Sequence, residues 1–321
     1  MSDQGKIVVL SGGVGGAKLV YGLSKVLPPD ALLVVANTGD DFSHMGLRIC
    51  PDIDSLTYAL SDLADPVRGW GRVDETWNFM RALKQVGGED WFNLGDMDLA
   101  LHIMRSHLLQ SGKGLTEATR ILCRNLGVQT TILPMSDDPV PTMVDTESGQ
   151  LSFQEYFVRE QCQPSVKGFS FQGADTARLN PGLRTCFEND DVAAVLIAPS
   201  NPFVSIDPIL AIGGFADMLE GFDGPVVAVS PIVGGNAIKG PAAKMMVELG
   251  LPSSALTVAQ HYQDILTGFV LDQVDAATAP QIKALDIEAH VEQTMMTDAL
   301  SKVSLARACL KAANVVLDGG G

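Results

Sequence analysis

The stretch Ser11-Gly12-Gly13-Val14-Gly15-Gly16-Ala17-Lys18 is the first place where the chain could do chemistry. Glycine has no Cβ, so a phosphate can come close to such a backbone. If a helix starts here, its free N–H groups and positive dipole end would face that anion. The spacing departs from the common phosphate loops. Gly13 and Gly15 satisfy the first half of a dinucleotide fingerprint, but Lys18 stands at the third position, and no Gly-Lys-Ser or Gly-Lys-Thr makes a Walker A loop. A tight turn without a ligand is the plainer alternative.

Asn37-Thr38-Gly39-Asp40-Asp41 and Pro51-Asp52-Ile53-Asp54-Ser55 then place four carboxylates within fifteen residues. Such charges repel one another unless a cation or a network of donors compensates. Hard oxygen ligands suit Mg²⁺, which commonly takes one or two carboxylates together with substrate phosphates. An aspartate after a second strand could instead bind a ribose hydroxyl. Asp52 or Asp54 could also simply cap a helix beginning near Ser55.

A third group covers Arg68-Gly69-Trp70-Gly71, Asp74-Glu75-Thr76-Trp77 and residues 91–102, and contains all three tryptophans. A planar heteroaromatic ligand could stack there, although packing is the commoner role of any single tryptophan. His102 and His107 are five apart, so they do not share a helix face as i,i+4 zinc ligands would. Asp96 could be no more than a helix cap. Farther on, Pro199-Ser200-Asn201-Pro202-Phe203-Val204-Ser205 offers side-chain hydrogen bonds from Ser200, Asn201 and Ser205. Ser230-Pro231-Ile232-Val233-Gly234-Gly235, Lys239-Gly240 and Met296-Thr297-Asp298 extend the same polar character. Without a Gly-x-Ser-x-Gly elbow or a nearby Cys–His pair, the residues favour phosphoryl chemistry by positioning and a metal.

These groups need elements to hold them. Residues 6–10 form a β-rich run. A helical pattern follows from Ala17 to about Leu27, stopped by Pro28 and Pro29, and residues 31–36 form a second buried run. Strand, glycine loop, helix and strand in that order imply a parallel pair with a right-handed crossover. Similar apolar runs recur at 192–198, 225–230 and 266–271, as in a parallel sheet covered on both faces. The middle of the chain is mostly helical (55–64, 76–86, 99–111, 116–126), with strand-like pieces at 129–133, 142–144 and 151–159. The fold expected is α/β: a Rossmann-like three-layer parallel-sheet core with an inserted, mainly helical subdomain carrying a β-hairpin. Residues 1–321 would make a single unit, with 5–61 and 191–321 as the core and 62–190 as the insertion.

Composition sets the limits. With 321 residues, 46% hydrophobic and 19% charged, the chain can bury a sizeable core and is neither disordered, collagenous nor a coiled coil. A formal charge of −16 argues against nonspecific nucleic-acid binding. An anionic ligand would need placed lysines, backbone N–H groups or a metal. Five scattered cysteines without a Cys-x-x-Cys argue against a disulfide framework or structural zinc. The start MSDQGKIVVL lacks the layout of a signal peptide. The apolar runs fall short of the roughly 18–20 residues a membrane span needs. The expectation is a soluble cytoplasmic protein with no nucleic-acid or membrane partner.

Taken together, LSGGVGGAK, NTGDD, CPDIDS, RGWG, DETW, WFNLGDMDLA, FQEYFVR, APSNPFVSI, SPIVGG and MTD, in this order from residue 6 to about 312, resemble the 2-phospho-L-lactate transferase family of deazaflavin coenzyme (F-420) biosynthesis. The resemblance implies transfer of a phospho-three-carbon-acid unit from a guanylyl diphosphate-linked donor to the terminal ribityl hydroxyl of the deazaflavin precursor FO. GMP leaves and Mg²⁺ assists. The acid would be of the 2-phospho-L-lactate, phosphoenolpyruvate or 3-phosphoglycerate type. Gly12, Gly13, Gly15 and Gly16 would then meet the diphosphate, and Asp41 and Asp54 would be the metal and catalytic pair, with Asp40 and Asp52 able to substitute. Ser200, Asn201 and Ser205 would face the guanosine. Trp70, Asp74, Asp96 and His102 would shape the FO side, within the 62–190 insertion. A homodimer is expected. Two other readings are a non-catalytic nucleotide-sugar-binding regulatory protein of a related family and an NAD-dependent oxidoreductase. The sequence Asp40-Asp41-Phe42-Ser43-His44-Met45-Gly46 departs from the first family's acidic-glycine continuation, and Lys18 departs from the dinucleotide fingerprint.

Overall fold

The computed structural model describes residues 5–316. In chain order its strands are β1 (Lys6–Ser11), β2 (Leu32–Ala36), β3 (Phe42–His44), β4 (Leu47–Ile49), β5 (Thr131–Pro134), β6 (Thr142–Thr146), β7 (Gly149–Ser152), β8 (Val166–Phe171), β9 (Val192–Ile197), β10 (Val226–Val229), β11 (Ile232–Val233), β12 (Asn236–Ala237), β13 (Gly268–Asp272) and β14 (Glu288–Glu292). The helices that bear on the site are α1 (Gly13–Ser24), α2 (Pro51–Leu60), α3 (Asn78–Gln85), α4 (Asp96–Gln110) and α5 (Leu115–Asn125).

Seven strands form one sheet in the order β14-β13-β10-β9-β1-β2-β5, every pair parallel. This is the expected α/β architecture. Successive side chains of a strand point to opposite faces. Val8, Leu10, Leu33, Val35, Val195 and Ile197 accordingly enter one buried cluster, while Ile7, Val9, Leu32, Val34, Ala194 and Leu196 enter the other. Both faces are dry, which explains why these strands read as unbroken apolar runs. Chain progression reverses between β1 and β9, so the crevice beyond their carboxyl ends is the switch point where such sheets take ligands.

The middle of the chain differs from expectation in three respects. Residues 62–190 are not a single excursion from the core. β5 lies inside this range yet pairs with β2 as the edge of the main sheet, Leu33 opposite Thr131 and Val35 opposite Leu133. The expected hairpin is a three-stranded antiparallel sheet, β7-β6-β8, because β8 joins β6 on its other side. Residues 155–159 coil into one π turn rather than extending the strand, and bury Tyr156. At the far edge, β14 was not expected: its sequence EAHVE is too polar to stand out, as suits an exposed sheet edge. The five cysteines are free. Among the described residues no helix is long and apolar enough to cross a membrane.

Candidate active site

A cleft of about 910 Å³ opens at the carboxyl ends of the strands. Its lining comes from segments that follow β1 (Gly12, Gly13, Gly15), β2 (Asp40), β9 (Ser200, Asn201, Ser205), β10 (Pro231) and β14 (Thr294, Met296). The first turn of α2, the Trp70 loop, α4 and the segment 153–158 complete it.

One wall is acidic. Asp52 and Asp54 stand in the first turn of α2, where the positive helix end favours carboxylates. Asp52 accepts from the backbone N–H of Gly13, at the start of α1, and from Asn37 Nδ2 at 2.9 Å. Burial lifts the Asp52 carboxyl to about 6 despite these donors. Asp54 accepts from both terminal nitrogens of Arg105, and its Oδ2 lies 3.5 Å from His102 Nδ1. Burial raises Asp54 as well, against the pull of Arg105 and His102. On the far side of the imidazole, Nε2 lies 3.3 Å from Asp98 Oδ2, and Tyr58 donates its hydroxyl to Asp98 Oδ1. Burial pushes Asp98 up, but the contacts from His102 and Tyr58 and the Arg105 charge outweigh it and hold the carboxyl below the usual range.

Asp40 and Asp41 end up in different surroundings. The tight β3–β4 hairpin, turning at Met45 and Gly46, brings Arg48 back to Asp41, where its Nη2 donates to Oδ2 at 3.2 Å. Asp41 has a fully buried side chain and is not part of the cleft lining. Burial raises it to about 7 in spite of Arg48. Asp40 does line the cleft. It accepts from Gln154 Nε2 at 3.3 Å, and its other oxygen, Oδ1, is buried without a hydrogen-bond partner. Burial and the charges of Asp52 and Asp41 drive its pKa well up.

This wall bears on metal binding. Arg48 serves Asp41 and Arg105 serves Asp54. Among the described residues no lysine or arginine pairs with Asp40 or Asp52. Asp40 and Asp52 are thus the carboxylates left open to a hard divalent cation, where the sequence had favoured Asp41 and Asp54. Asp54, Asp98 and His102 also bring ligand atoms within 4.8 Å of one another, but Asp54 there is already paired with the Arg105 guanidinium.

The glycines answer to packing more than to a ligand. A Cβ on Gly15 would collide with the Pro199 carbonyl oxygen, and one on Gly16 would meet the Ser11 and Ser200 hydroxyls. One on Gly12 would meet Ser205 and Asp52. Gly13 has open space but a φ of +66°, which favours glycine. Gly16 lies outside the cleft lining. Helix α1 begins at Gly13, four residues earlier than its sequence pattern suggests. Ser200 spends its hydroxyl on the backbone of Gly12, and Asn201 caps the turn at Phe203.

The other wall is aromatic. Trp70, Phe92, Phe153 and Phe157 face the cleft. Of the three tryptophans only Trp70 does so; Trp91 packs with Phe42, His44 and Phe92, and Trp77 against the Met80–Leu94 cluster. Asp74 is exposed and Asp96 is absent from the lining. Asp96 accepts from Thr76, Asn78 and Phe79 and so caps α3, which holds its carboxyl near 2; Glu75 in turn accepts from the first N–H groups of α4. Sequence reasoning missed Arg105 and Tyr58. Residues 98, 102 and 105 share one face of α4, and an arginine among the buried positions Leu101, Ser106 and Leu108 was the signal for it.

Residues 7–309 match the family model of 2-phospho-L-lactate transferase CofD. The chain belongs to this family. A 2-phospho-L-lactate transferase from Methanosarcina mazei is 38% identical over 95% of this chain and 100% of its own length. One from Methanosarcina acetivorans is 40% identical over 94% and 96%. A phosphoenolpyruvate transferase from Kitasatospora aureofaciens is 38% identical over 98% and 99%. A crystal structure of a UPF0052-family protein from Bacillus halodurans shares the fold, with a TM-score of 0.61, 13% identity and coverage of 97% and 100%. The protein is thus a transferase of the 2-phospho-L-lactate or phosphoenolpyruvate type.

Proposed function

We propose that the chain transfers a phospho-three-carbon-acid unit from a guanylyl diphosphate-linked donor to the terminal ribityl hydroxyl of FO, releasing GMP, in coenzyme F-420 biosynthesis. The observation that carries this reading is one cleft with two unlike linings: buried carboxylates, two of them without a cationic partner among the described residues, and the aromatic rings of Trp70, Phe92, Phe153 and Phe157. A flat, apolar-faced ring suits the aromatic side. A diphosphate with a divalent cation suits the other.

Mg²⁺, held by Asp40 and Asp52, would supply neutralisation of the diphosphate charge. The chain's own residues do the positioning. Asn37 and Gly13 fix Asp52, Gln154 fixes Asp40, and Arg105 with His102 fixes Asp54. Asp54 lines the cleft, burial raises its carboxyl, and it would take the acceptor hydroxyl's proton. Ser205, which lies against Gly12 at the start of α1, and Asn201 line the cleft and would flank the guanosine. Incubating the protein with FO and each guanylylated acid, then weighing the product by mass spectrometry, tests the reading. A phosphodiester joining FO to the three-carbon acid is expected, with GMP released in equal amount; no product from any of the three acids overturns it.

A further inference from the structure

The cleft is divided by charge. Among the described residues Asp40, Asp52, Asp54 and Asp98 supply its carboxylates, its lysines are Lys18 and Lys239, and no arginine lines it. Lys18 Nζ donates to the Met296 carbonyl at 3.0 Å, and Lys239 Nζ to the Gly69 carbonyl at 3.1 Å. An ammonium has three N–H donors, and the fold uses one of each. Among the described residues neither lysine has a carboxylate within ion-pair distance, although the chain carries a net charge of −16. The two are also close enough to feel each other: Lys18 is lowered first by burial and then by the charges of Lys239 and Lys302. Like charges gathered in a cleft are stabilised by a bound anion. The glycines beside Lys18 have packing reasons of their own, so charge compensation for an anion falls to side chains.

We propose that Lys18 and Lys239 form the anion subsite of the cleft and hold the diphosphate of the nucleotide-linked donor. The assignment rests on the transferase reading for the identity of the donor, but the subsite itself is defined by the two ammonium groups. Lys239 also holds the carbonyl next to Trp70, so the subsite ties the donor end to the aromatic wall.

Calorimetric titration of the full-length protein with GDP, GMP and inorganic pyrophosphate, in Mg²⁺, tests it. The variants are Lys18→Met, Lys18→Arg and Lys239→Met; Lys239 is exposed, so its substitution leaves the fold intact. Wild-type protein should bind GDP more tightly than GMP. Each methionine variant should lose about tenfold in affinity for GDP and for pyrophosphate, the scale of one charge-assisted hydrogen bond. GMP affinity should change much less, and Lys18→Arg should restore part of the loss. Unchanged pyrophosphate and GDP binding in both methionine variants overturns the subsite, as does an equal loss for GDP and GMP, or wild-type protein that binds neither diphosphate. If wild-type protein binds pyrophosphate through the lysines but not GDP, the subsite stands and the guanylyl donor falls.

Discussion

The acidic and aromatic walls face the same cleft but are held in opposite ways. On the acidic wall Asp40, Asp52 and Asp54, and Asp41 behind them, are all buried, each with at least one donor reaching it from another segment. On the aromatic wall Trp70 is 50% exposed, and Asp74 stands exposed outside the cleft lining. The surrounding loops are pinned by surface caps, Asp96 on α3 and Glu75 on α4. Under the proposed function the difference follows from what each would do. Buried like charges are costly unless donors and cations are fixed around them, and a reacting group must be in place before the substrate arrives. A surface that stacks a ring needs only shape, and can adjust as it is covered.

The contrast is broken most severely at Arg105. Arg105→Met leaves Asp54 buried without its cation and should cost about 3–5 kcal/mol of stability in chemical denaturation. Adding Asp54→Asn should recover much of it. A loss below about 1 kcal/mol would mean the acidic wall does not depend on this pair. Next comes Asp52. Asp52→Asn should lower kcat by more than about 100-fold with the fold retained, the scale of losing a major electrostatic stabiliser. Transfer should likewise stop in EDTA and return with Mg²⁺, whereas full turnover in EDTA would remove the metal from the acidic wall.

A smaller effect separates the walls by pH. Burial raises Asp52 to about 6 and Asp41 to about 7 from an ordinary 3.8. For a carboxyl raised in the folded state, stability is fully present below the ordinary value and is lost as pH rises through the folded one. Without divalent cation, Tm should therefore fall as pH rises from 5 to 8, and Mg²⁺ should restore more at pH 8 than at pH 5. A slope identical in Asp52→Asn would show that Asp52 is not its source. The smallest change is expected at Trp70. Trp70→Ala should weaken FO binding by about tenfold, an aromatic contact's worth, while stability stays within about 0.5 kcal/mol. Fluorescence titration with FO reads the first and a thermal melt the second; Trp77→Ala should show the reverse pattern.

How much of this was legible in the sequence depends on the distance between partners. The parallel sheet was, because strands dry on both faces leave unbroken apolar runs such as residues 6–10 and 192–197. The cleft's place was as well, since small polar residues follow those runs at the strand ends. The acidic cluster could be seen because one strand, one short hairpin and one helix start carry Asp40 to Asp54 within fifteen residues. What the sequence left open was which carboxylate keeps its charge uncompensated. That turns on Arg105, 51 residues from Asp54, and on Gln154, 114 from Asp40. The membership of β5 in the main sheet was equally hidden, since a four-residue run carries no sign of its partner. Lys239 meets Gly69 across 170 residues. Local pattern encodes which side of an element is dry and where the chain turns. Which charges neutralise one another is a property of segments that only folding brings together, and that decided Asp40 and Asp52 over Asp41 as the open pair.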